Sequence, residues 1–170
     1  MRYGRGMSQK AILVLTTGGT IDKNYFDALS EYQIVDSGIP ALLEEARVAL
    51  PIRVVELMRK DSLELTDADR ALIASAAREA SETLIVVTHG TDTMTETARV
   101  LAAEVPGKTI CLTGALSPAR FAQTDAGFNL GMAFATAQVA PPGVYIAMSG
   151  EVFDGLKVRK DRAAGKFVAI

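Results

Sequence analysis

Three threonines and two glycines in Thr16-Thr17-Gly18-Gly19-Thr20-Ile21 follow directly on the apolar run Ala11-Ile12-Leu13-Val14-Leu15. A hydroxyl becomes an acyl-transfer nucleophile once a neighbour takes its proton. An apolar strand that breaks at two glycines would leave such hydroxyls at the carboxyl edge of a sheet, where open α/β folds bind ligands. The same residue types recur after every later apolar run, as Lys60-Asp61-Ser62, Thr88-His89-Gly90-Thr91-Asp92-Thr93, Thr113-Gly114-Ala115 and Ser149-Gly150-Glu151. A plainer reading stands beside the chemical one, because Thr, Ser, Asp and Gly also cap and turn any strand-to-helix junction.

Several chemistries fail on these residues. No Gly-Lys follows Gly19, and no trio of spaced glycines opens a helix, so neither phosphate-binding loop pattern is met. His89 is the single histidine, set directly after a strand in a glycine turn, which suits a hydrogen-bonded turn residue better than a triad base. No His, Cys or carboxylate set has metal-ligand spacing, and no cofactor is implied. What remains is a hydroxyl nucleophile in need of another base. An amine that is desolvated or crowded by cations can serve, and Lys160 in Val158-Arg159-Lys160 is the candidate. From spacing alone, Lys157, Arg159 and Lys160 read more readily as the solvated rim of a hairpin.

The elements that would position these residues alternate along the chain. Short apolar runs at Ala11–Leu15, Ile52–Leu57, Leu84–Thr88, Thr109–Leu112 and Val144–Met148 predict strands buried on both faces, as in a parallel sheet. Helical patterns lie between them. Ile39–Leu50 has Pro40 in its first turn, and Thr66-Asp67-Ala68-Asp69 forms a capping box ahead of Leu72, Ile73, Ala76 and Ala77 on one face. Thr93–Glu104 and Gly127–Val139 complete the alternation. The fold class is α/β, a three-layer sandwich with a mostly parallel, doubly wound sheet. The tail Glu151–Ile170, with Asp154-Gly155 between short strand-prone pieces, predicts a C-terminal β-hairpin.

At 170 residues and 49% apolar composition, the chain fits one domain spanning 1–170, with residues 1–9 expected to be disordered and Met7 a candidate start. Eighteen basic and twenty acidic residues leave a net charge of -2 and no basic stripe, which argues against nucleic acid; no run is long enough to cross a membrane. Cys111, in Thr109-Ile110-Cys111-Leu112, reads as a buried strand thiol. With no disulfide framework and no signal-like apolar segment, a cytoplasmic location is expected.

Taken together, Thr17-Gly18-Gly19-Thr20-Ile21, Thr88-His89-Gly90-Thr91-Asp92-Thr93-Met94, Leu112-Thr113-Gly114-Ala115-Leu116, Asp125-Ala126-Gly127-Phe128-Asn129-Leu130 and Asp154-Gly155 ahead of Lys160 resemble the bacterial-type L-asparaginase/glutaminase family, in order along nearly the whole chain. The resemblance implies that Thr20 is the first catalytic threonine, with Tyr32 its loop tyrosine and Tyr25 the competitor for that place. Thr91, Asp92 and Lys160 match the second catalytic group. Ser62 falls where the family contacts the substrate α-carboxylate, with Asp61 counted beside it, and the Ala115 carbonyl falls where the side-chain amide is received. Backbone N–H groups at the Gly18-Gly19 or the Gly90-Thr91 turn would stabilise the developing oxyanion, with Gly19 and Gly90 counted in the substrate site.

The implied activity is hydrolysis of L-asparagine to L-aspartate and ammonia through a threonine acyl-enzyme, with Asp92 holding the substrate ammonium. Family members are two-domain chains built into homodimers and homotetramers, and this chain stops near Phe167–Ile170, where the linker to the second domain would begin. A short-chain form lacking that domain would bind substrate weakly, since each lost charge-assisted contact costs about 1.5–3 kcal/mol, roughly ten- to a hundredfold. Mean hydropathy of +0.20 is compatible with self-association. Two rivals stand beside this reading. One is a non-catalytic amino-acid-binding or sensor protein that keeps the crevice. The other is the amidotransferase branch acting on tRNA-bound substrates, disfavoured by the missing basic surface.

Overall fold

The computed structural model describes residues 11–170; the expectations for the first nine residues and for Met7 lie outside them. Strand β1 (Ile12–Gly18) is buried along its whole length and pairs in parallel with β4 (Ile52–Lys60) on one side and β5 (Leu84–Thr88) on the other. β6 (Thr109–Thr113) and β7 (Gly143–Met148) extend the parallel sheet, and β8 (Glu151–Asp154) closes it antiparallel to β7, giving the order β4-β1-β5-β6-β7-β8. β5 and β6 are buried at every position, as their unbroken apolar runs require; β4, at the sheet edge, is only half-buried.

Helices α1 (Ile39–Glu45), α2 (Asp67–Glu79), α3 (Met94–Glu104) and α4 (Ala126–Val139) supply the outer layers. One core joins Leu13, Leu15, Ile85 and Val87 of the sheet to Ile73 and Ala77 of α2 and Ala98 and Leu101 of α3. The opposite core joins Ile12, Val14, Val86 and Cys111 to Leu43 of α1 and Leu130 and Phe134 of α4. Burying alternate residues of one strand under two helix layers makes the three-layer sandwich.

Three sequence expectations need correction. The helix expected over 39–50 ends at Glu45, because Arg47 takes a positive φ of 51° and the Val48 N–H closes back on the Leu43 carbonyl at 3.2 Å. Leu72 does not share the inward face of α2: it is 48% exposed, and the buried stripe is Arg70, Ile73, Ala74 and Ala77. The capping box itself forms, with Thr66 Oγ1 accepting from the Asp69 N–H and the Asp69 carboxylate accepting from the Thr66 N–H at 2.8 Å. The C-terminal hairpin exists, but Asp154-Gly155 is not its turn. β8 pairs back onto β7, and the hairpin is β9 (Val158–Asp161) with β10 (Lys166–Ala169). Asp154-Gly155 links the two pairs, where a Cβ on Gly155 would fall 2.9 Å from the Val144 carbonyl oxygen.

One element has no counterpart in the sequence reading, a small antiparallel hairpin of β2 (Lys23–Phe26) and β3 (Glu31–Ile34) between β1 and α1. Its strands are short, polar and mostly exposed, so no alternation of apolar residues announces them.

Candidate active site

The strand order places β1 between β4 and β5, so the chain winds one way from β1 to β4 and the other way from β5 onward. The carboxyl ends of β1 and β5 therefore flank the switch point of a doubly wound sheet. Gly18 and Gly19 take φ of 97° and 86°, a region other residues rarely enter. Gly19 also lies flush against the next turn: a Cβ there would sit 2.5 Å from the Gly90 nitrogen, and its N–H, expected to serve the oxyanion, is instead spent on the Lys60 carbonyl at 3.0 Å. Thr20 and Thr91 are thus each the next residue after two backbones in contact.

The three threonines of the β1 turn then separate by environment. Thr16 is buried, and Thr17 is occupied by donating to the Thr88 carbonyl at 2.9 Å. Thr20 opens a single 3-10 turn, Thr20–Asp22, is half-buried, and lines a cavity of about 330 Å³ with Lys23, Tyr32, Leu116, Ser117, Pro118 and Phe121. Tyr25 sits directly across the hairpin from Tyr32, their rings 5.1 Å apart, and Tyr32 leans toward Phe121 at 6.1 Å.

Lys160 does not belong to a solvated rim. Its ammonium donates to Thr91 Oγ1 and to Asp92 Oδ1, both at 2.7 Å, and its side chain is only 13% exposed. Arg162, which no motif marks in the sequence, brings Nε to 3.9 Å from the same Asp92 oxygen. Two short hydrogen bonds meeting on one amine allow a proton to pass between a hydroxyl, an amine and a carboxylate.

Ser62 is buried beside Gly90, where an added Cβ would come within 2.7 Å of the serine; its carbonyl accepts from Thr93 Oγ1 at 2.6 Å. Asp61 instead reaches toward Lys23 of β2, 3.0 Å away, and accepts from the Leu63 N–H at 3.2 Å. Burial works against its ionisation, but Lys23 and the Leu63 and Ser62 N–H groups outweigh that and hold the carboxyl below its ordinary range. Ala115 is buried in the loop after β6, which Asn129 of α4 fixes. The Asn129 amide donates to the Gly114 carbonyl at 3.0 Å, and its oxygen accepts the Ser149 N–H at 3.0 Å. Asp125 completes that loop by accepting the Leu116 and Ser117 N–H groups. Asn129 stood in the sequence only as part of a family-like motif; its place between two strand-end loops comes from the fold.

His89 is a structural residue. Its Nδ1 faces the Gly90 carbonyl at 2.6 Å, so that nitrogen carries the proton, and Nε2 accepts from Thr97 Oγ1 at 2.7 Å. Burial pushes its pKa down to about 4. Cys111 is free and buried, its thiol pushed up to about 12 by burial. Asp22 is a buried carboxylate with its pKa raised, by burial first, against hydrogen bonds from Gly38 and Ser37. Among the described residues, no group of three or more His, Cys, Asp or Glu gathers as a metal site would require.

Residues 11–166 match the family described as Asparaginase, N-terminal. The chain is 31% identical over 163 residues to an L-asparaginase of Thermococcus kodakarensis, covering 91% of this chain and 48% of that protein. It is 32% identical over 173 residues to a glutamyl-tRNA(Gln) amidotransferase subunit of Methanococcus vannielii, covering 89% and 38%. A solved structure, the thermostable L-asparaginase from Thermococcus kodakarensis, superposes with a TM-score of 0.83 at 29% identity, over 94% of this chain and 51% of that one. The chain therefore spans about half the length or less of these relatives. Fold, strand-end geometry and these likenesses agree that the chain belongs to the asparaginase family, to whose N-terminal domain it corresponds.

Proposed function

We propose that this chain is an amidohydrolase that converts L-asparagine to L-aspartate and ammonia. The observation that carries the reading is the amine of Lys160, bonded at once to Thr91 and Asp92 across 69 and 68 residues of sequence, beside a turn that leaves Thr20 half-open to the crevice and buries its two threonine neighbours. In this reading the Thr20 oxygen attacks the side-chain amide carbon. Its proton passes through the polar groups of the crevice to the departing nitrogen, which leaves as ammonia, and the acyl group remains as an ester on Thr20. Water then attacks the ester carbon, aspartate leaves, and the hydroxyl is restored. Thr91, Asp92 and Lys160 handle protons, Asp92 also holds the substrate ammonium, and Tyr32 attends Thr20. Gly19, Gly90, Ser62, Asp61 and Ala115 shape the substrate site. Assembly as a homodimer or homotetramer and residence in the cytoplasm belong to the same proposal.

Relatives named as amidotransferase subunits make glutamine the second amide to test. One methylene separates the two substrates, a difference worth about 1–3 kcal/mol in a fitted pocket. Steady-state ammonia release from both amides, with Thr20→Ala and Lys160→Met beside the wild type, is the test. The expected result is turnover of asparagine that each variant lowers by roughly a hundredfold or more. Absence of turnover at millimolar substrate, with asparagine still raising the melting temperature, would leave the binding-only rival in its place.

A further inference from the structure

Thr20 and Asp22 share one turn of 3-10 helix, so whatever holds Asp22 also aims Thr20. Asp22 is 2% exposed, and one of its oxygens, Oδ1, accepts both the Ser37 hydroxyl and the Gly38 N–H, each at 3.0 Å. Its own carbonyl accepts the Val35 N–H at 3.0 Å, and its N–H donates to the Gly19 carbonyl at 3.1 Å. A single residue is thereby bonded to the glycine turn before Thr20 and to the segment where the β2–β3 hairpin returns to the body. The chain between Asp22 and Ser37 is closed by that knot, beside which Arg120 donates to the Asp36 carbonyl at 2.8 Å and Glu56 accepts the Ser37 N–H at 3.1 Å.

The hairpin has little else to hold it. Residues 25–33 are exposed, and an isolated two-stranded ribbon is marginal in water. Beyond its base, it meets the body through the Lys23–Asp61 ion pair and the approach of Tyr32 to Phe121. Tyr32, which reaches the Thr20 cavity from β3, is the side chain with most to lose if the base opens. A buried carboxylate is a costly way to close a loop, since it gives up its hydration for two hydrogen bonds.

We propose that Asp22 is a positioning residue that clamps the base of the β2–β3 hairpin and so sets Tyr32 against Thr20 for the reaction. The clamp is a matter of loop geometry, and its catalytic consequence rests on the amidohydrolase reading above. Because both hydrogen bonds fall on one oxygen, an amide carbonyl in the same place reproduces them, whereas a methyl group does not.

The test uses the full chain with Asp22→Asn, Asp22→Ala, Ser37→Ala and Tyr32→Phe. Chymotrypsin reads the hairpin directly at Tyr25, Phe26, Leu29 and Tyr32. Asp22→Ala is expected to speed nicking there about tenfold, Ser37→Ala to do so more weakly, and Asp22→Asn to stay near wild type. For asparagine turnover, Asp22→Ala should lower kcat by roughly ten- to a hundredfold, and adding Tyr32→Phe to it should cost nothing further. Asp22→Asn should restore kcat. Nicking unchanged in both Asp22→Ala and Ser37→Ala overturns the clamp. A kcat loss that simply multiplies with that of Tyr32→Phe overturns the link to Tyr32. Should Asp22→Ala not fold, Ser37→Ala and Asp22→Asn decide both points by the same readings. A wild-type chain that releases no ammonia removes the reading of function, while the nicking rates still decide the clamp.

Discussion

A threonine hydroxyl at a strand end is an ordinary cap until its neighbours make it something else, and here the neighbours differ sharply between adjacent positions. Thr17 spends its hydroxyl on the Thr88 carbonyl, while Thr91 is given an amine at 2.7 Å. The single histidine illustrates the opposite case, a reactive residue type made inert by burial and two hydrogen bonds. Its folded pKa of about 4 lies below the ordinary 6.5. Between those values the unfolded chain takes up a proton that the folded chain refuses, so stability is lost as pH falls through this window. Melting temperature followed from pH 6.5 to about 4 should decline, and His89→Gln should flatten that part of the slope whatever it does to the absolute value. An unchanged slope in the variant would assign the decline to other groups.

At the scale of elements, the β9–β10 hairpin explains how a lysine so late in the chain reaches a threonine–aspartate pair at the switch point. Lys160 stands in register with Phe167, and directly opposed residues of an antiparallel pair share a face. Val158 and Phe167 bury that face in the core with Phe153, whose ring lies 6.4 Å from that of Phe167, and Lys160 is carried in with them. Packing thus aims the amine. Phe167→Ala should cost about 3–5 kcal/mol of stability. It should also lower kcat more than it raises KM, checked by thermal unfolding alongside ammonia release. The β2–β3 hairpin obeys weaker rules, with exposed polar strands held at the base and by the Lys23–Asp61 and Tyr32–Phe121 contacts, and its sequence carries no period of two to betray it. Helix α2 was legible in full at its start, where Thr66 and Asp69 cap each other, and misread at Leu72, where only the packed structure tells which residues lie on the sheet side.

Over the whole molecule, ion pairs at the surface set the response to acid. The Thr66 N–H, then Lys60 and the Thr66 hydroxyl, hold Asp69 at about 2, and Arg53 does the same for Glu82. Both carboxyls are lowered from their ordinary 3.8 and 4.5. Their contribution is present above those values and is lost as pH falls toward 2. Asp22, raised by burial, works the other way, since its folded form takes up a proton more readily than its unfolded form. Acid unfolding monitored by circular dichroism should show stability falling below pH 4.5, with Glu82→Gln removing part of the fall and added salt shrinking that variant's difference from wild type. A variant curve parallel to wild type down to pH 2 would contradict the assignment.

Local chemistry was enough to determine the alternation of strands and helices, the glycine turns at 18–19 and 90, and the family whose motifs they carry. Those features depend on residue type and short spacing, which a chain shows without being folded. Tertiary structure decided which threonine is spent and which is left open to the crevice, because that turns on the Thr88 carbonyl 71 residues away. It also brought Lys160, grouped with Thr91 and Asp92 by resemblance alone, to 2.7 Å from each, joined two pairs of strands at Asp154-Gly155, and made Asp22 tie both ends of a hairpin together. Each of these rests on atoms brought within about 3 Å of one another by packing and strand register, and sequence distance carries no record of that.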